Sequence, residues 1–174
     1  MVSAAASICL HLRHLHYKLR LISDTGVDIQ ASEADGEDSL LNYLAEVQPG
    51  PRGDMGQLGE SIRRRIDDGL VIAILGQLGP EETKMLSGLR RAGSTCVAFL
   101  LNRDTWVHAT HGRHTAAGQT QESAALALLN AGWRVIGVEK GADLAALWPQ
   151  AARRNQGFAF RAALAETISP TGYP

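Results

Sequence analysis

The sequence predicts an α/β fold: a doubly wound, mostly parallel sheet with helices on both of its faces. Three short apolar runs lead to this prediction, and each is followed by a segment of helical pattern; they span residues 70–76, 95–102 and 133–139. A strand that is apolar along its whole length is typical of a parallel sheet, because helices cover both faces of such a sheet. The alternation of strand and helix also supplies the long crossover connections that parallel strands require.

A helix and a hairpin are expected before this alternation begins. Apolar residues such as Ile8 and Leu12 recur at helical spacing within residues 2–17, which indicates an amphipathic helix. Apolar and polar residues then alternate over 18–23 and 27–31. The Asp-Thr-Gly turn sequence between these two segments favours a short hairpin.

Two further helices are predicted between the hairpin and the first apolar run. One covers residues 37–47 and stops where two prolines follow it. The other covers residues 55–68, with Asp54 as its N-terminal cap and Gly69 just after its end. The first apolar run therefore begins directly after a helix.

The remaining helices follow the apolar runs. Helix 80–92 begins with Pro80, which suits a first helical turn because the N–H that proline lacks is not needed there. Helix 120–131 is closed by Gly132, a residue type common just after helix ends. A final helix is predicted over 142–154. Each strand of the predicted sheet thus leads into a helix.

Length, charge and cysteine usage narrow the class of protein. A chain of 174 residues suits one domain, so we expect a single domain over 1–174. Its net charge of −1 gives no indication of a strongly basic surface that would bind a nucleic acid or a membrane. Cys9 and Cys96 lie in apolar segments and are expected to be buried thiols in a reducing compartment. The sequence shows neither a membrane span nor a signal peptide, so we expect it in the cytoplasm.

Four stretches of the sequence, taken with the order of its elements, resemble a known family. They read VSAAASICLHL at 2–12, LRLISDTG at 19–26, LLNYLAEV at 40–47 and GLVIAILGQLGPEE at 69–82. The order of helices and strands resembles a von Willebrand factor type A domain that lacks its first strand. The amino-acid sequence of the four stretches is more similar still to the C-terminal part of the bacterial family called domain of unknown function 58, above all to its actinobacterial members.

The resemblance implies that this chain belongs to a larger protein. Family members usually carry two N-terminal membrane helices, a short β-rich region and the first strand of the domain, all of which would precede Met1. The chain would then be N-terminally truncated, and its parent would be membrane-anchored with this domain in the cytoplasm. The neighbours of the absent central strand would expose unpaired backbone groups, so either they pair with one another or another chain fills the gap. We expect a chain extended upstream to be more stable, and equal melting temperatures would contradict this.

The resemblance also points to a divalent-metal site that this sequence does not complete. In such domains the ligands often come from an Asp-x-Ser-x-Ser motif after the first strand, a Thr in a middle loop and an Asp after the fourth strand. The first motif would lie outside this chain, Asp54 stands in the middle loop, and Gly76 and Gln77 stand in place of the last Asp. Magnesium prefers hard oxygen ligands, of which Gln77 supplies one neutral amide oxygen. We therefore expect a degenerate metal site at most, and no cofactor.

The segment most suggestive of chemistry is the long connection 102–119, which follows a central strand. His108, His111 and His114 recur there at intervals of three and could form a zinc site. The alternative is a polar surface loop, or a small hairpin with Gly112 in its turn. This alternative is favoured because no Cys or Glu accompanies the histidines, and short intervals in an irregular segment do not guarantee that side chains converge.

No stretch of the sequence predicts a catalytic residue. It contains no Gly-x-Ser-x-Gly nucleophile elbow, and Glu81 and Glu82 suit the first turn of a helix better than a catalytic pair. We therefore expect a non-enzymatic protein-interaction module, and the resemblance implies a MoxR-family AAA ATPase as its partner in the assembly of envelope complexes. The residues expected to bind this partner lie in loops at the edge of the sheet where ligands usually bind: Arg52, Asp54, Gln77, Asn102, Arg103, Asp104 and Trp106.

Two alternatives stay open on the sequence. The chain could be a small-molecule or nucleotide-binding enzyme on a Rossmann-like sheet, although no glycine-rich turn joins a strand directly to a helix. It could also be a structural remnant that begins at a misassigned start codon and has no separate function. A thermal-shift screen with nucleotides and divalent metals tests the first alternative, and the genomic sequence upstream of Met1 tests the second.

Overall fold

The computed structural model divides the chain into two compact units, Met1–Ile66 and Asp67–Pro174. The residues that it describes are 1–31, 36–48, 55–65, 69–90, 94–102, 105 and 116–152. Each unit has its own sheet and its own helices. The single domain over the whole chain stays a prediction.

Helices and a hairpin form the described part of the first unit. Their bounds are α1 Val2–His14, β1 Leu19–Ile22, β2 Asp28–Ala31, α2 Gly36–Glu46 and α3 Met55–Arg63. α1 packs on α2, and each helix buries residues four apart, which lie on one side of a helix. These buried side chains are Ile8, Leu12, Leu40 and Leu44. The predicted order of helix, hairpin and two helices is confirmed.

The hairpin is closed by a turn and by an ion pair across its antiparallel strands. Gly26 in the turn has a φ of 84°, a left-handed conformation that glycine adopts without strain. Arg20 donates two hydrogen bonds to the carboxylate of Asp28, at 2.7 and 2.8 Å, and Arg65 lies 3.2 Å from the same carboxylate. The hydrogen bond from Arg20 holds the pKa of Asp28 below its usual value.

α1 ends at His14, before the predicted end at Tyr17. Leu15 and Tyr17, which follow the helix, are 55% and 52% exposed. His16 instead adopts a φ of 60°, and the N–H of Tyr17 donates to the carbonyl of Leu12 at 3.0 Å. A residue in the left-handed region with such a backward hydrogen bond is a common end to a helix.

Strands and helices alternate throughout the described part of the second unit. Their bounds are β3 Leu70–Leu75, α4 Pro80–Ser87, β4 Thr95–Leu101, α5 Ala116–Asn130, β5 Arg134–Val138 and α6 Leu144–Ala152. The strands form a parallel sheet in the order β3-β4-β5. The prediction of an α/β protein with a parallel sheet is confirmed, and the arrangement is consistent with a Rossmann-like fold.

The predicted strands of this unit differ from the observed ones by at most one residue at each end, and the larger differences lie at helix ends. α4 stops at Ser87 instead of residue 92. The N–H of Gly88 is shared between the carbonyls of Lys84 and Met85, and the N–H of Leu89 bonds only three residues back, to Leu86, so the last turn tightens as the helix ends. α5 begins at Ala116 instead of residue 120, a start that the sequence does not predict because residues 116–119 have no apolar periodicity that would mark a helix. Gly132 closes α5 as predicted, with a φ of 85°.

The core of the second unit is centred on β4. Its residues 96–100 are each at most 3% exposed, and successive side chains of a strand point to opposite faces, so both faces of β4 are covered. Phe99 stacks on Trp148 of α6, with ring centroids 6.1 Å apart and planes inclined by 11°. On α5 the buried side chains include Leu128, which is 0% exposed. The central strand is therefore sandwiched between layers, as its uninterrupted apolar sequence predicts.

β3 differs from β4 although its sequence is equally apolar. Leu70 is 41% exposed, and the side chains of 71–75 are only partly buried. β3 has β4 as its neighbour on one side, and the described residues place no strand on its other side. The idea that a von Willebrand type A central strand belongs there stays a prediction.

Candidate functional site

Two of the predicted partner-binding residues lie at the carboxyl ends of neighbouring strands. Gln77 follows β3 and is exposed, and Asn102 follows β4 and is partly buried. Because β3 and β4 are parallel, the structure brings both residues to the same edge of the sheet, as expected. The other five lie outside the described residues: Arg52, Asp54, Arg103, Asp104 and Trp106.

The side chain of Gln121 ties the ends of β3 and β4 together. It projects from the first half of α5, is 8% exposed, and donates from Nε2 to the carbonyl oxygens of Gly76 at 3.3 Å and Leu101 at 3.4 Å. Its Oε1 atom is buried and has no hydrogen-bond partner among the described residues. Both strand ends are therefore held by one amide whose oxygen remains an available acceptor.

A second set of hydrogen bonds ties the ends of β4 and β5 together. The hydroxyl of Thr105 donates to the carbonyl of Asn102 at 2.8 Å and accepts from the N–H of Lys140 at 2.9 Å. The N–H of Asn102 donates to the carbonyl of Val138, also at 2.8 Å. We call Gln77, Asn102, Thr105 and Lys140 the rim. Its side chains carry two amides, a hydroxyl and one ammonium group. The backbone N–H groups of Asn102 and Lys140 are both used in the hydrogen bonds that tie β4 to β5.

A cleft of about 460 Å³ lies between α4 and α5. Small and apolar residues make up most of its lining: Leu78, Gly79, Pro80, Thr83, Lys84, Ser87, Thr120, Ser123, Ala124 and Ala127. Two of its hydroxyls bond within their own helix, because Thr83 donates to the carbonyl of Gly79 and Ser87 to that of Thr83, each at 2.8 Å. These hydroxyls are thus already used by the fold.

Both cysteines are free thiols. Cys96 is buried as predicted, whereas Cys9 is only partly buried. Burial raises the pKa of both thiols, and for Cys96 this outweighs the opposing effects of Ser94 and Arg90. A raised pKa keeps a thiol protonated near neutral pH, and the thiolate is the nucleophile. Neither cysteine is therefore activated for nucleophilic attack.

The predicted zinc ligands His108, His111 and His114 lie outside the described residues, so the zinc site stays a prediction. Within the part of the chain that is described, no three His, Cys, Asp or Glu side chains are grouped as metal ligands. The described helices include none with the length and hydropathy needed to cross a membrane.

Sequence reasoning missed the residues that organise the rim, Gln121 and Thr105. A signal for Gln121 was present, because it shares its helical spacing with Ala124, Ala125 and Leu128, all of them buried. A polar residue on the inner face of a helix needs a partner, which indicates a hydrogen bond to another element. Thr105 follows a strand in an irregular segment, and nothing in the residues around it marks its bonds to two different loops.

Comparison with known proteins adds no relative. No protein family matches the chain by sequence, and no curated protein or solved structure is similar to it.

Proposed function

We propose that this chain is a non-enzymatic protein-interaction module that binds its partner through the rim. The observation that carries the proposal is the pair of cross-links beneath that surface: the Gln121 amide joins β3 to β4, and the Thr105 hydroxyl joins the loops that follow β4 and β5. A surface held in place before binding loses less conformational entropy when a partner docks.

The chemistry of the rim favours docking over reaction. Thr105 uses its hydroxyl both as donor and as acceptor within the fold, so this group is not poised for attack on a substrate. Gln77 and Lys140 are exposed and can reach a partner. Neutral amides beside one cation suit a protein surface that presents carbonyl and carboxylate groups.

The partner proposed from the resemblance is a MoxR-family AAA ATPase, and the process is the assembly of envelope complexes. The same resemblance supports a cytoplasmic site of action for a parent protein that is anchored in the membrane. It also supports a degenerate metal site, since Gly76 and Gln77 stand where an Asp ligand would follow the strand.

A binding assay with a purified MoxR-family ATPase tests the rim. Lys140→Glu reverses an exposed rim charge and should weaken binding by about tenfold, which corresponds to about 1.4 kcal/mol. Lys18→Glu is the matched control, because Lys18 is also exposed but lies in the first unit and not on the rim. Equal loss in both variants would point to net charge alone, and unchanged binding of Lys140→Glu would remove the rim from the proposal.

The cleft between α4 and α5 supports the second candidate, a small-molecule-binding enzyme. Its volume of about 460 Å³ falls in the range of about 300–1,000 Å³ that is usual for ligand sites. A screen of nucleotides and apolar small molecules should then find one that raises Tm, and a ligand at about 100 times its Kd adds about 2.7 kcal/mol. Replacing Ala127 of the lining, which is only partly buried, with Leu should abolish that shift if the cleft is the site.

A further inference from the structure

The hydrogen bonds of β3 show which of its backbone groups face away from the sheet. The N–H of Thr95 donates to the carbonyl of Gly69 at 2.9 Å, so residue 69 directs its backbone groups to β4. Successive residues of a strand within a parallel sheet direct these groups to opposite sides. The odd-numbered residues of β3 therefore pair with β4, while Leu70, Ile72 and Ile74 direct both N–H and C=O outward. No described residue bonds to these three.

The residues of β3 itself have none of the sequence features that usually protect an edge strand. Exposed edges are commonly guarded by Lys, Pro or a bulge. β3 reads Leu-Val-Ile-Ala-Ile-Leu, and its register with β4 runs without a bulge over residues 70–75. Its side chains are nevertheless partly exposed, including Leu70 at 41%. β3 thus has the composition of an interior strand in the position of an edge strand, which indicates that another strand covers it.

The outward-facing residues of β3 are complementary to a second copy of the same strand. When two copies run antiparallel about a two-fold axis at Ile72, the two Ile72 residues face each other, and Leu70 of each copy faces Ile74 of the other. Each such pair exchanges an N–H···O=C bond in both directions. The facing side chains are aliphatic, and no charge lies on residues 70–75 to oppose the contact.

From this match we propose that the chain forms a homodimer through antiparallel pairing of β3, which joins the two three-stranded sheets into one continuous sheet. A two-fold interface must be self-complementary, and the outward set of β3 meets this requirement because it is symmetric about Ile72. The net charge of −1 gives little long-range repulsion between copies. The dimer is independent of the proposed rim, which involves different residues.

Hydrogen exchange of the unaltered protein, measured by NMR, tests the pairing directly. Between about 10 μM and about 1 mM, a range that spans weak association, the amides of Leu70, Ile72 and Ile74 should gain protection. The amides of Val71 and Ala73 should be protected throughout, because they donate to β4. Sedimentation over the same range should show the mass doubling. A monomer at the upper concentration would overturn the proposal, as would outward amides that stay unprotected or that are already protected in the monomer.

Substitutions then locate the interface. Leu70→Lys places a charge on the edge at an exposed position and should raise the dimer Kd at least tenfold. Leu126→Lys is the matched control on α5, since Leu126 is 42% exposed, and it should leave the Kd unchanged. Ile72→Pro removes an outward N–H that the monomer does not use, so it should give a folded monomer by circular dichroism. Dimerisation that survives both edge variants, or that only Leu126→Lys abolishes, would overturn the proposal.

Discussion

A carboxylate in place of the Gln121 amide should make the second unit pH-sensitive. The side chain is 8% exposed, and its Nε2 faces the carbonyl oxygens of Gly76 and Leu101 at 3.3 and 3.4 Å. Gln121→Glu replaces the donor with an oxygen atom. Burial and the two facing carbonyls both disfavour a charged carboxylate, so the pKa of the new group should rise above about 4.3, the ordinary value for Glu.

The sign of the effect follows from this rise. When folding raises the pKa of a group, the group contributes stability that is fully present at pH values below its pKa in the unfolded state. That stability is lost as the pH rises through its pKa in the folded state. Near about pH 4 the protonated carboxyl still donates one hydrogen bond, so the loss should be about 1 kcal/mol. Near about pH 7 the cost of a buried carboxylate without a partner should bring the loss to about 3 kcal/mol.

Gln121→Leu is the matched control because it has a similar size and no charge. It leaves the carbonyls of Gly76 and Leu101 without the amide donor, at a cost of about 1–3 kcal/mol in all, and also removes the unpaired Oε1 atom, whose burial costs about 1–3 kcal/mol. The two changes oppose each other, so stability should stay within about 1 kcal/mol of the unaltered protein at any pH. Urea unfolding of the three proteins near about pH 4 and about pH 7 measures these differences. A loss for Gln121→Glu that is the same at both pH values would refute the placement of the amide.

Three further predictions concern the packing and charge of the two units. Leu128→Ala should lower the free energy of unfolding by about 2–5 kcal/mol because the side chain is 0% exposed, whereas Leu126→Ala on the same helix should change it by less than about 0.5 kcal/mol; equal urea midpoints would contradict this. Gly132→Ala places a side chain at a φ of 85° and should cost about 1–2 kcal/mol, and an unchanged Tm would show that the turn relaxes. The hydrogen bond from Arg20 lowers the pKa of Asp28, so Asp28 stabilises the fold above the ordinary Asp value of about 4 and loses this effect as the pH falls. Asp28→Asn should therefore flatten the acid side of the stability profile, and an identical acid profile would show that the pair is broken in solution.

Local patterns predicted the elements well, and missed their ends and their contacts. The apolar run at 70–76 and the proline that opens α4 placed a strand and a helix start correctly, since both depend on neighbouring residues. The end of α4 was wrong because the hydrogen bonds of Gly88 and Leu89 shift to carbonyls three residues back, a tightening that the spacing of apolar residues does not show. The start of α5 was wrong because its first turn, Ala-Ala-Gly-Gln, has no large apolar residue, and only the spacing of such residues had been used to find the helix.

The sequence by itself determined that this protein is built from strands that lead into helices, because the spacing of apolar residues depends on the helical and strand repeats alone. The contrast between β3 and β4 was decided by tertiary structure. Both strands read as buried, yet one is central and the other lies at an edge, since strand order depends on pairing between distant segments. The same holds for Gln121, whose amide meets two carbonyls from different strands only after the sheet has formed.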